Sequence, residues 1–123
     1  MPDSVDKPLI IRAIISEIKS KGQPLKIEAR DIENYTNPPK LKLEKRDREV
    51  IPDLVVHYDN HADLYEVELE DHTDIEKWRQ MLLHAKRFKG HLFLVVPDFL
   101  GEKIKDELTG NAINAGLIYF NTG

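Results

Sequence analysis

Val50-Ile51-Pro52-Asp53-Leu54-Val55-Val56 is followed, after the polar stretch Tyr58-Asp59-Asn60-His61-Ala62-Asp63, by Leu64-Tyr65-Glu66-Val67-Glu68-Leu69-Glu70. Both apolar-rich runs read as β-strands, and the Asn, Asp and His between them are residues that turns favour. Side chains at i and i+2 of a strand point to one face, about 6.6–6.8 Å apart. Glu66 and Glu68 therefore share a face, and a hairpin brings Asp53 beside them. Two carboxylates about 7 Å apart repel by roughly 2–3 kcal/mol at an effective dielectric near 20. A bound divalent cation, a raised pKa or full exposure to water must offset that repulsion.

Downstream lies the best-signalled helix, from Thr73 to Lys89. Thr73 with Glu76 three residues on reads as a capping box. Ile75, Trp78, Met81, Leu82, Ala85 and Phe88 form its apolar face, Lys77, Gln80, His84 and Arg87 form a flanking stripe, and Gly90 closes it. His91-Leu92-Phe93-Leu94-Val95-Val96 is nearly continuous apolar sequence, as in a strand buried on both sides. Asp98 caps a short helix carrying Leu100, Ile104 and Leu108 that Gly110 ends, and Gly116-Leu117-Ile118-Tyr119-Phe120 is a final strand.

Upstream, residues 7–21 read as a helix, because Ile10, Ile11, Ile14, Ile15 and Ile18 recur at the spacing of one buried face. Asp6 is its expected N-cap and Gly22 its expected C′ residue. Glu17 falls at the edge of the isoleucine face. Residues 23–49 are less legible. Leu25-Lys26-Ile27-Glu28-Ala29 and Leu41-Lys42-Leu43-Glu44 alternate, so one or both are strands, with a loop at Asn34-Tyr35-Thr36-Asn37-Pro38-Pro39 between them. Directly joined strands imply antiparallel pairing and helical crossovers imply parallel pairing. The expected fold is therefore α/β, a mixed sheet with helices on both faces.

At 123 residues the chain is one domain, 1–123, large enough for a single core. Its charged share of 33% exceeds the roughly 25% of an average domain, with both signs interspersed. A net charge of −4 argues against a general nucleic-acid coat protein but not against a nuclease, whose acidic metal ligands inflate the negative count. Absence of cysteine removes disulfides, thiolate zinc sites and cysteine nucleophiles, and suits a reducing cytoplasm. The N-terminus lacks a secretory pattern and no apolar run is long enough for a membrane span, so the expectation is cytoplasmic with no membrane partner.

Pro52-Asp53, then Glu66-Val67-Glu68 on the next strand after a leading helix, resembles the PD-(D/E)xK nuclease-like superfamily over roughly residues 7–120. The resemblance implies a three-layer α/β/α, restriction-endonuclease-like core with a central mixed sheet. It also implies that Asp53 and Glu66 bind magnesium or manganese (Mg2+ or Mn2+), with Glu68 standing where the superfamily usually has a water-assisting lysine. Some members carry glutamate there and cleave DNA, while others have lost catalysis. Glu17 matches a helix that often adds a carboxylate, and Lys77 and Gln80 lie on a helix to which polar groups, sometimes the lysine itself, have migrated. The catalytic candidates are thus Asp53, Glu66, Glu68, Lys77 and Gln80, and the metal candidates Asp53, Glu66, Glu68 and Glu17. The region from Tyr65 to Pro97 also resembles a nuclease-like segment of plasmid replication-relaxation proteins.

Cation chemistry fits these residue types independently. Magnesium is usually held by one or two carboxylates plus water and phosphate, and phosphodiester cleavage uses such a cation to stabilise charge and activate water. The expected function is a divalent-metal-dependent DNA endonuclease. The alternative is an inactive relative serving as a DNA-binding or protein-interaction module, linked to mobile elements, and a structural homodimer is a third reading. The basic run Lys40, Lys42, Lys45, Arg46 and Arg48 is a candidate phosphate contact, diluted by Glu44, Asp47 and Glu49. Among the five histidines none has zinc-ligand spacing, and only His57 shares the Asp53 face.

Overall fold

The computed structural model describes residues 6–42, 49–70 and 73–121. In chain order these form α1 (Lys7–Lys21), β1 (Lys26–Ala29), β2 (Leu41–Lys42), β3 (Glu49–Val50), β4 (Leu54–His57), β5 (Ala62–Val67), α2 (Ile75–Arg87), β6 (Leu92–Pro97), a 3-10 turn (Asp98–Leu100), α3 (Gly101–Gly110) and β7 (Gly116–Phe120). Five strands make one sheet in the order β1-β4-β5-β6-β7, while β2 and β3 form a separate two-stranded ribbon. The pairs β1/β4 and β4/β5 are antiparallel, and β5/β6 and β6/β7 are parallel. The fold is mixed α/β.

The two sheet faces carry different helices. On one, Val55, Leu64, Leu94 and Val96 pack with Trp78, Met81 and Ala85 of α2 and with Ile104 and Leu108 of α3. On the other, Leu54, Val56, Tyr65, Val67 and Val95 pack with Ile11 and Ile15 of α1. Only two of the five isoleucines of α1 are buried, and Ile10, Ile14 and Ile18 lie half-covered beside an opening over β6 and β7. Width explains this. Five strands at about 4.8 Å spacing extend some 19 Å across, whereas one helix with its side chains covers about 10–12 Å.

Several local expectations are corrected. The run Val50–Val56 is not one strand, because Pro52 has no N–H to give a ladder. Val50 instead pairs with Leu41 in the ribbon, and Leu54 begins β4. Strand β5 starts two residues inside the supposed turn, since Ala62 and Asp63 pair with His57 and Val56. Helix α2 is capped by Asp74 rather than Thr73, with the Asp74 carboxylate accepting from the Lys77 N–H at 3.1 Å. Phe88 is the C-cap and exposed, off the buried face.

Gly90 does not supply the left-handed residue after α2, a role taken by Lys89 at φ 60°. It is there for space, because a Cβ on Gly90 would fall 1.7 Å from the Ala62 carbonyl oxygen. Gly22 is likewise extended rather than left-handed. Asp6 precedes α1 as expected but makes no side-chain cap bond. Both alternating runs upstream do enter strands, at β1 and β2. Of the basic run, Lys45, Arg46 and Arg48 lie outside the described residues. No described helix is long and apolar enough to cross a membrane.

Candidate active site

Register brings the acidic residues together. Leu54 lies opposite Tyr65, so one step further places Asp53 opposite Glu66. The Glu66 side chain meets α2 at Lys77, and the Asp53 side chain meets the start of α1 at Lys7. Side chains complete the ladder there. Glu66 Oε1 accepts from the Asp53 backbone N–H at 3.0 Å, and Asp53 Oδ2 accepts from the Val67 N–H at 2.9 Å. Glu68 continues the strand direction beyond β5, its N–H donating to the Val95 carbonyl at 2.9 Å. All three carboxylates are buried, with relative exposures of 1%, 5% and 8% for Asp53, Glu66 and Glu68.

Two lysines answer this buried charge. Lys77, in the first turn of α2, places Nζ 2.9 Å from Glu66 Oε2 and 3.0 Å from Glu68 Oε1. The second Glu68 oxygen accepts from the Trp78 indole N–H at 3.2 Å, and Trp78 itself is fully buried. Lys7, at the start of α1, reaches across to Asp53, 3.2 Å from Oδ2. A cation at a helix N-terminus is disfavoured by the helix dipole, and Asp53 supplies the charge that offsets it.

Three carboxylates face two ammonium groups, and the imbalance falls on Glu66. Burial pushes its carboxyl up to about 7, the Asp53 charge adds to the rise, Lys77 opposes it, and Glu68 contributes a further push upward. For Lys77 burial works to lower the pKa, but the charges of Glu66 and Glu68 and their hydrogen bonds outweigh it, so the ammonium is held above its usual range.

Beyond the ion pairs opens a polar cleft of about 580 Å3 lined by Lys7, Arg30, Lys40, Glu49, Glu66 and Lys77, with Val50 and Ile51 of the ribbon side. Arg30 donates to the Ile51 carbonyl at 3.4 Å, and Lys40 is exposed. Four basic side chains thus line the cleft beside Glu66, and Asp53 lines an adjoining pocket with Lys7, Pro8, Ile11, Arg30 and Asp31. Among the described residues, no three His, Cys, Asp or Glu side chains gather as the ligands of one metal ion. Glu66 accepts from the Asp53 backbone and feels the Asp53 charge, while Glu68 turns to Lys77 and Trp78. Asp53 Oδ1 and Glu66 Oε2 are the oxygens not bonded to backbone. A pair of carboxylates suffices for magnesium when water and phosphate complete the shell, so the donor set fits such a cation, with Lys7 and Lys77 as competing positive charges.

The remaining candidates lie elsewhere. Glu17 is ten residues along α1 from Lys7, about 15 Å at the rise of a helix, and on the sheet face opposite Glu66. It is exposed and paired with Lys21 at 2.8 Å, so the fold does not bring it to the carboxylates. Gln80 sits one turn after Lys77. Its Oε1 is buried without a hydrogen-bond partner, and no hydrogen bond joins it to the three acids. His57 pairs with Glu28 of β1. Lys7 was not legible as a site residue, because nothing in local spacing shows that α1 ends its approach 46 residues away, at Asp53. Nor was Arg30, whose bond to the Ile51 carbonyl spans 21 residues.

No family model matches this chain, and neither a curated protein nor a solved structure matches it.

Proposed function

We propose that the protein is a divalent-metal-dependent phosphodiesterase acting on DNA, with a three-layer α/β/α core of the restriction-endonuclease type. One observation carries the reading. The Lys77 ammonium lies within 3.0 Å of both Glu66 and Glu68 while Glu66 is tied to the Asp53 backbone, so two acids and a lysine meet at the mouth of a basic cleft. The lysine that the strand lacks at position 68 is supplied from α2, and Glu68 holds it there.

Asp53 and Glu66 would hold magnesium or manganese through the oxygens not bonded to backbone. When bound, the cation supplies charge stabilisation and lowers the pKa of a water. Lys77 acts as a point charge beside the scissile phosphate. Lys7, Arg30 and Lys40 bind flanking phosphates and fix the strand in the cleft. Glu68, bonded to Lys77 and Trp78, positions the lysine from behind.

A specific observation favours a second reading. Lys77 is paired on both sides, so the network is closed on itself, as in a catalytically inactive relative that binds DNA or protein. Incubation with single-stranded, duplex and branched DNA in magnesium and in manganese separates the two. Metal-dependent nicking lost in Asp53→Ala, Glu66→Ala and Lys77→Ala supports the enzyme. No nicking on any substrate, or nicking that the variants retain, rejects it.

A further inference from the structure

The face of the sheet opposite Glu66 and Lys77 holds a half-open apolar cavity of about 520 Å3 between α1 and strands β5 to β7. That is the size of a small-molecule site, which typically spans about 300–1,000 Å3. Its walls are mainly Ile10, Ile14, Ile18, Val95, Ile118 and Phe120. The cavity follows from the mismatch between one helix and five strands, and no described element covers it.

Its polar groups are few and specific. Tyr65, only 7% exposed, lines the cavity, and its hydroxyl has no hydrogen-bond partner among the described residues. The hydroxyl is not sealed away, so it is a donor open to an acceptor that enters the cavity. Tyr58 lines the same space, its ring stacked on His61 with centroids 4.7 Å apart. At the rim, Glu17 and Lys21 neutralise each other at 2.8 Å. Burial, with the charge of Asp63 adding to it, raises the Tyr65 pKa. Tyr65 therefore remains a donor, in a field that disfavours an anion.

We infer that this cavity is a binding site for an uncharged amphiphile, an apolar body with one hydrogen-bond-accepting head such as an alcohol, ketone or ester, seated on the Tyr65 hydroxyl. The apolar walls take the body, and the paired rim offers no net charge to a carboxylate or an amine. The site lies across the sheet from Glu66 and Lys77, so it stands whether or not the protein cleaves DNA.

The probes are 1-octanol and octanoate at pH 8, titrated into the 15N-labelled full chain and followed by amide chemical shifts. Saturable shifts confined to α1 and β5–β7 are expected with 1-octanol, with octanoate at least ten-fold weaker. Tyr65→Phe should weaken 1-octanol by about five-fold, the worth of one neutral hydrogen bond. Ala13→Trp or Ile14→Trp, each checked for an unchanged fold by circular dichroism, should fill the cavity and abolish the shifts. Absence of saturable shifts with 1-octanol, octanoate binding as tightly, or undiminished binding to both filled variants overturns the inference.

Discussion

At the scale of the residue, Glu66 decides the behaviour of the site. Its carboxyl titrates near 7 in the folded protein against an ordinary value of 4.5. The folded state thus keeps a proton that the unfolded chain loses between those values, and stability falls as pH rises through that window. The loss from this group is about 3 kcal/mol, at roughly 1.4 kcal/mol per pH unit. Urea unfolding in EDTA at pH 4.5 and 8 should show this fall in the wild type and a fall smaller by about that amount in Glu66→Gln. Because the Asp53 N–H donates to Glu66, the Asp53 amide resonance should titrate with a midpoint near 7 and lose that inflection in the same variant. Lys77→Ala leaves two buried carboxylates without their ammonium, a change that typically costs about 3–5 kcal/mol. Its cost should be smaller at pH 5, where Glu66 takes up a proton, than at pH 8. Equal costs at the two pH values would show that Glu66 is not the group left uncompensated.

At the scale of the element, α2 joins the core to the chemistry. Trp78 fills the space under the helix and holds Glu68 through its indole N–H, so Trp78→Ala should cost about 3–5 kcal/mol in urea unfolding. A loss under about 1 kcal/mol would mean that the ring is not a core group. Asp74→Ala removes the helix cap and should cost about 1 kcal/mol, whereas Thr73→Ala should cost less. The helix as a whole was legible, because its apolar stripe recurs with a period of 3.6 over several turns. Its cap was not, since Thr73 and Asp74 are both good caps and only the geometry of the entering chain selects one. The acidic hairpin was legible for a similar reason, because period-2 alternation fixes which residues share a face whatever the neighbours do. The ribbon β2–β3 was not, since two-residue strands carry too little pattern and Pro52 conceals the break between Val50 and Leu54. Lys7 escaped because an ion pair across 46 residues depends on how α1 crosses the sheet, and Arg30 because its bond to the Ile51 carbonyl spans 21 residues.

At the scale of the whole molecule, charge is distributed against the net balance. The chain carries −4 overall, yet Lys7, Arg30, Lys40 and Lys77 line one cleft. If that cleft takes a nucleic-acid backbone, affinity should fall steeply with salt, and Arg30→Ala and Lys40→Ala should each reduce the log–log slope by about 1. Fluorescence anisotropy over a range of salt concentrations measures it, and unchanged slopes would place the DNA elsewhere. Tyr65 and Glu66 are consecutive in β5 but face opposite sides of the sheet, so a single peptide unit is the partition between the apolar cavity and the Glu66 carboxylate. Such a partition makes any communication between the two sides a matter of linkage. If an alcohol held by Tyr65 changes manganese affinity at Glu66 by some factor, manganese must change alcohol affinity by the same factor. One strand one residue thick would then be the whole of the coupling device.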